Sequence, residues 1–286
     1  MPAAADMHET PASPIPTGVR PVVVASHPRS GTHMMLDFLR RQFDACCPPF
    51  RFGVNPHRYL YFVLDRFCPD HKFHVGVEPC LRVMRSTEMP CLKTHSLPDF
   101  LSAIPEGRRL SVAALRQGVV LYCVRDVRAV MASLHAFDRV TGDTETNSLS
   151  AFIREEIDGR CRVAIWADHV RAWIKGYPDH RVIRYEEMAA NPGQMLEKLG
   201  SWFGQTPKRR QPLLPPKLKH RQRLWLARLT GVPESTNVIG RKVGVKPLDW
   251  RTAYTPADIA FLEEHAGEAM SELGYVPGGN WGETIR

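Results

Sequence analysis

Residues 27 to 33 read His27-Pro28-Arg29-Ser30-Gly31-Thr32-His33. A β-branched run, Pro21-Val22-Val23-Val24-Ala25, comes before them, and Met35, Leu36, Leu39 and Phe43 follow at helical spacing. The segment therefore joins a strand to a helix. A helix start presents unpaired N–H groups and a partial positive charge, which suits phosphate. Gly31 lets the backbone come close, Ser30 and Thr32 add hydroxyls, and Arg29 adds a planar fork for anionic oxygens. The loop is not a Walker A motif, because its cation precedes the glycine and no Gly-Lys-Ser/Thr follows. A plain strand-to-helix turn is the competing reading.

Four further patterns lie downstream. Lys93-Thr94-His95 closes a strand candidate and leads into Leu97-Pro98. Leu121-Tyr122-Cys123-Val124-Arg125 ends a second strand, and Ser133 follows eight residues later in the next helix. Arg184-Tyr185-Glu186-Glu187 ends a third, and Arg241-Lys242-Val243 precedes Asp249-Trp250. With the first loop, these resemble the signatures of sulfotransferases that use 3′-phosphoadenosine 5′-phosphosulfate (PAPS), and order and spacing agree for four of the five. The resemblance covers about residues 21–275. Some positions depart from it. Arg29 stands where cytosolic members usually carry Lys, His33 where Ser or Thr is common, and Met34 near the place of an adenine-stacking Trp. The last signature lacks its Gly.

The resemblance implies in-line transfer of a sulfuryl group from PAPS to an acceptor hydroxyl, with the bisphosphate PAP as product. Such transfer asks for positioning and charge stabilisation more than for covalent work. His95 is the expected general base, since imidazole titrates near neutrality. Lys93 and Arg29 would stabilise charge on the bridging oxygen and the leaving 5′-phosphate. Arg29, Ser30, Gly31, Thr32 and His33 would cradle the cofactor, Arg125 and Ser133 would grip its 3′-phosphate, and Tyr185 would touch the adenine. Arg241 and Lys242 are further expected contacts. No metal is expected, because protein cations do the charge work. Two alternatives stay open: a nucleotide-dependent phosphoryl transferase, and a non-catalytic binding protein that keeps the fold.

The elements that must hold these residues alternate. Strand candidates lie at 21–25, 89–93, 118–124 and 181–185, and helical spacing marks 34–43, 97–104, 126–136, 192–203 and 256–273. That order predicts an α/β fold: a P-loop-like central parallel sheet with helices on both faces, in a single domain over 21–286. Residues 1–20 are rich in Pro, Ala, Ser and Thr and read as a disordered leader. The aromatic stretch from Phe50 to Leu81 suits either core or an apolar acceptor pocket.

Composition bounds the rest. The chain has 286 residues, 43% hydrophobic and 24% charged, which excludes a wholly disordered or fibrous protein. A net charge of +8 favours anionic partners. Its longest purely apolar runs, such as Val119 to Val124, are far short of the roughly 20 residues of a membrane span. No secretory signal is evident, and seven irregularly spaced cysteines suit a reducing compartment, so a cytoplasmic location is expected. Cys68, His71, His74 and Cys80 lack paired zinc-ligand spacing. The basic stretch 207–229 is a solvated face, a lid, or a peripheral membrane contact. No nucleic-acid module is recognisable. The acceptor is expected to be a small molecule, a glycan or a lipid.

Overall fold

The computed structural model describes residues 13–49, 59–105, 107–177, 179–210, 212 and 249–275. Arg241, Lys242 and nearly all of the basic stretch beyond Arg210 lie outside them, as do Phe50 and Phe52.

Five parallel strands form the sheet in the order β2-β3-β1-β4-β7. They are β1 (Val22–Ser26), β2 (Phe62–Val63), β3 (Cys91–Thr94), β4 (Val119–Val124) and β7 (His180–Arg184). A short antiparallel hairpin, β5 (Glu156–Ile157) and β6 (Arg160–Cys161), stands apart. The register sets the carboxyl ends side by side: Ala25 pairs with Thr94 and Tyr122, Ser26 with Cys123, and Val124 with Arg184. Every residue of β1 and β4 is buried, as expected for strands covered on both faces.

Side chains alternate across the strands and feed two cores. Val22, Val24, Leu121, Cys123 and Ile183 pack with α1 (Thr32–Gln42), α8 (Tyr185–Ala190) and α9 (Pro192–Phe203). Val23, Ala25, Leu92, Val120, Tyr122 and Val124 pack on the opposite face. There they meet α2 (Glu78–Met84), α3 (Pro98–Ala103), α4 (Arg108–Gln117), α5 (Val127–Thr141), α6 (Leu149–Arg154), α7 (Arg162–Gly176) and α11 (Pro256–Glu272). A short α10 (Trp250–Ala253) precedes α11. The chain thus leaves β1 for one face and leaves the neighbouring β3 and β4 for the other. Open α/β sheets carry their ligand crevice where such a reversal occurs.

One expectation needs correction, and one open reading is decided for the described residues. Contacts with the body begin ahead of Pro21: Ile15 is buried, Ser13 Oγ donates to Gln117 Oε1 at 2.9 Å, and Arg20 N–H donates to the Glu88 carbonyl at 2.8 Å. Residues 13–20 are therefore part of the fold, because an apolar side chain among them finds a place in the core. Of the two readings of the aromatic stretch, core holds for most of the described residues: Tyr59, Tyr61, Phe62 and Phe67 are all buried. Phe62 and Phe67 lie in the core with their rings 5.0 Å apart, whereas Phe73 is 58% exposed.

Candidate active site

Gly31 starts α1 at φ 100°. No side chain caps that helix and no acidic residue sits in its first turn, so its first amides face the loop without an internal acceptor. A Cβ on Gly31 would stand 2.7 Å from Cδ2 of Tyr185, so glycine is required by both backbone and packing. Arg29 also holds a left-handed φ of 70°, a conformation that non-glycine residues keep only when the surroundings enforce it. Those surroundings are visible. Arg125 Nη1 donates to the Arg29 carbonyl at 3.3 Å, Arg29 Nε donates to Ser133 Oγ at 3.1 Å, and the Arg29 guanidinium lies 4.7 Å from the Phe137 ring centre.

Tyr185, at the end of β7, stacks on Arg125 with 4.4 Å between guanidinium and ring centre. Glu186 beside it accepts from the Asp126 N–H at 3.2 Å and from Tyr275 Oη at 2.8 Å. The Tyr-Glu pair therefore locks the end of β7 to the β4–α5 junction, and Tyr185 shapes the loop through Gly31 and Arg125.

The third wall is the end of β3. His95 Nδ1 lies 2.6 Å from the Ser26 carbonyl, which can only accept. The ring therefore carries its proton on Nδ1 and its lone pair on Nε2. Burial first, then the Lys93 charge, push the imidazole well below its ordinary range, so it stays neutral. Lys93 Nζ donates to His33 Nε2 at 3.3 Å. Burial lowers its ammonium to about 8; Asp65 opposes that shift and Arg29 adds to it. Ser26 Oγ and Thr32 Oγ1 share a hydrogen bond of 2.5 Å that ties β1 to α1.

Within the described residues, the structure thus brings together Arg29, Ser30, Gly31, Thr32, His33, Lys93, His95, Arg125, Ser133 and Tyr185 at the carboxyl end of the sheet. Arg29 reaches from the loop to Ser133, the residue expected at the 3′-phosphate. Sequence reasoning missed three supporting residues. Asp65 accepts from Thr94 Oγ1 and from the His95 and Ser96 amides. His169 Nε2 donates to the His95 carbonyl at 3.1 Å, and its Nδ1 accepts from Tyr122 Oη at 2.9 Å. Ser26 supplies the carbonyl that sets the His95 tautomer. Asp65 could have been flagged as a carboxylate following the apolar run Tyr61-Phe62-Val63-Leu64. His169 lies between Trp166 and Trp173 on a buried helix face, where nothing distinguishes it from a packing residue.

A PAP-like ligand fits this site on one structural ground. Ser30 Oγ and Arg125 Nε are buried and have no hydrogen-bond partner in the protein. Buried polar groups are rarely left so, and both flank the uncapped start of α1. Among the described residues, no group of three or more His, Cys, Asp or Glu is arranged to hold a metal, and no helix is long and apolar enough to cross a membrane.

The model of the sulfotransferase domain matches residues 20–274. Sulfotransferase 1A1 of Mus musculus is 26% identical over 195 residues, 65% of this chain and 60% of its own length. Amine sulfotransferase of Oryctolagus cuniculus is 26% identical over 87 residues, 29% of each chain. The chain thus spans 60% or less of the length of these relatives. Among solved structures, mouse sulfotransferase SULT7A1 complexed with PAP aligns at TM-score 0.53 and 18% identity, over 89% of this chain and 86% of that one. Retinol dehydratase in complex with retinol and PAP aligns at TM-score 0.50 and 17% identity, over 91% and 84%. At such identities these two likenesses speak for the fold.

Proposed function

The chain belongs to the sulfotransferase-domain family, and from that premise we propose that it moves the sulfuryl group of PAPS to an acceptor hydroxyl. The observation that carries this reading is the pair of unpartnered buried atoms, Ser30 Oγ and Arg125 Nε, beside a strand end that offers Lys93 and a neutral His95. Bound at the loop, PAPS supplies the activated sulfuryl group. Ser30, Thr32 and the first amides of α1 hold the 5′ side, and Arg125 and Ser133 hold the 3′-phosphate. Arg29 spans the two as a fixed cation, since a guanidinium keeps its proton. His33 orients Lys93, which neutralises charge growing on the leaving phosphate. His95 Nε2 takes the acceptor proton as the acceptor oxygen attacks in line. The surrounding walls keep the reacting groups oriented, which is most of the catalytic task.

Retinol dehydratase, with retinol bound, makes a small apolar alcohol the simplest acceptor class to test first; glycans and lipids follow. The working compartment is the cytoplasm. The test is transfer of labelled sulfate from PAPS to a panel of alcohols and phenols. With a positive acceptor in hand, His95→Ala lowers kcat about 10²–10⁴-fold and leaves PAP affinity little changed. Equal losses in kcat and PAP affinity would make His95 a structural residue.

A further inference from the structure

We propose that Asp65 is a positioning residue for this transfer: its carboxylate holds the Lys93-Thr94-His95 strand end in register with the phosphate loop. The inference rests on the reading of the site given above. Strand β3 ends at Thr94 and its partner β1 at Ser26. Beyond that point no ladder satisfies the amides of His95 and Ser96, and backbone donors in such a place need another acceptor. Asp65 provides it with both oxygens. Oδ1 accepts from Thr94 Oγ1 at 2.5 Å and from the Ser96 N–H at 3.2 Å, and Oδ2 accepts from the His95 N–H at 3.0 Å.

The carboxylate is itself anchored to the sheet. It sits in a single turn, Leu64–Phe67, immediately after β2, and β2 pairs with β3 at Phe62↔Leu92 and Val63↔Lys93. From the other side, His169 Nε2 donates to the His95 carbonyl at 3.1 Å and Trp173 Nε1 donates to the Ser96 carbonyl at 3.2 Å. The peptide groups before and after His95 are thus both fixed, and the imidazole is aimed by backbone that Asp65 secures. Misplacing a reacting group by about 1 Å costs about 10²-fold in rate. The same carboxylate is the acidic group acting on Lys93, against the Arg29 charge from the loop and with His33 Nε2 facing it from α1 and His95 beside it on its own segment.

The test compares Asp65→Asn and Asp65→Glu with the native protein in kcat, KM for PAPS, PAP affinity, melting temperature and the titration of Lys93. The last is read by NMR of isotope-labelled lysine in the unliganded protein. Asp65→Asn keeps the size, loses the charge and offers one acceptor atom in place of two. The expected result is a kcat lower by about 10–10²-fold with PAP affinity and melting temperature little changed. The Lys93 titration falls below about 8, because removing a negative neighbour disfavours the ammonium. The alkaline limb of kcat/KM moves to lower pH with it. Asp65→Glu keeps Lys93 near its native titration and restores part of kcat. An unchanged kcat and Lys93 titration in a folded Asp65→Asn protein overturns the proposal. So do parallel losses of melting temperature, PAP affinity and kcat, which mark a merely structural role. Should Asp65→Asn fail to fold, Asp65→Glu decides: a native Lys93 titration with lowered kcat supports the proposal, and native values of both overturn it. A native protein that neither binds PAP nor transfers sulfate refutes the proposed function instead, while the Lys93 titration still reports separately on Asp65.

Discussion

A histidine whose Nδ1–H is committed to a carbonyl presents its lone pair on Nε2, and a base is useful only while that lone pair is free. In His95 the Ser26 carbonyl makes the first condition, and burial beside Lys93 makes the second. The sign follows directly. The active form is neutral, so activity falls as pH drops through the imidazole pKa, and a lowered pKa moves that loss to lower pH. NMR of labelled imidazole in the unliganded protein should show the Nδ1–H tautomer and a titration well below 6.5. A midpoint at or above 6.5 would contradict it. Lys93 sets the other limb: it must be charged, so kcat/KM should fall as pH rises through about 8. Gly31→Ala should cost about 1 kcal/mol or more from the left-handed backbone alone, and further from the push on Tyr185. PAP affinity should drop with it, read by calorimetry. Most of these side chains were legible in the sequence because their spacing survives without knowledge of the fold. Asp65, His169 and the Ser26 carbonyl were not, since each acts only through contacts across long sequence separations.

Elements announce themselves when their ends carry local chemistry. Helix α9 runs from Pro192 to Phe203, the span read from sequence, with Pro in its first turn and Gly204 left-handed after its end. Helix α11 begins with a capping box in which Thr255 and Asp258 bond reciprocally. Strand β2 escaped because two residues carry no periodicity. Asp258 also reaches outside its own helix. Ser150 Oγ and Arg154 Nη1 of α6 each donate to Asp258 Oδ1 at 2.5 Å. Burial alone would raise its carboxyl pKa; the hydrogen bonds from Ser150, Thr255 and Arg154 outweigh that and hold it at about 2. A depressed carboxyl stabilises the fold above its unfolded pKa and loses that contribution as pH falls through the folded one. Asp258→Asn should therefore cost about 2 kcal/mol near neutral pH, or roughly 4–8 °C in melting temperature. Its stability should also decline less than the native protein's as pH falls from about 4 toward 2. An unchanged melting temperature would show that the α6–α11 junction does not depend on this carboxylate.

For the whole molecule, the alternation of strands and helices already fixed the class of architecture, and apolar runs such as Val119 to Val124 marked the central strands. Strand order was not legible, because it depends on which face each crossover takes. That order is what sets the loop after β1 between the ends of β3 and β4, and so unites three distant motifs. The function proposed for this junction requires that it recognise a nucleotide by two phosphates. The most direct measurement is thermal unfolding with PAP, with AMP, and with ATP plus magnesium, in the native protein and in Arg125→Ala. A ligand at about 100 times its dissociation constant adds about 2.7 kcal/mol, or roughly 5–10 °C for a chain of this size. The account predicts that shift with PAP, a much smaller one with AMP, and no difference between the two in Arg125→Ala. A native protein that ignores PAP, or that ATP plus magnesium stabilises more than PAP does, would contradict it.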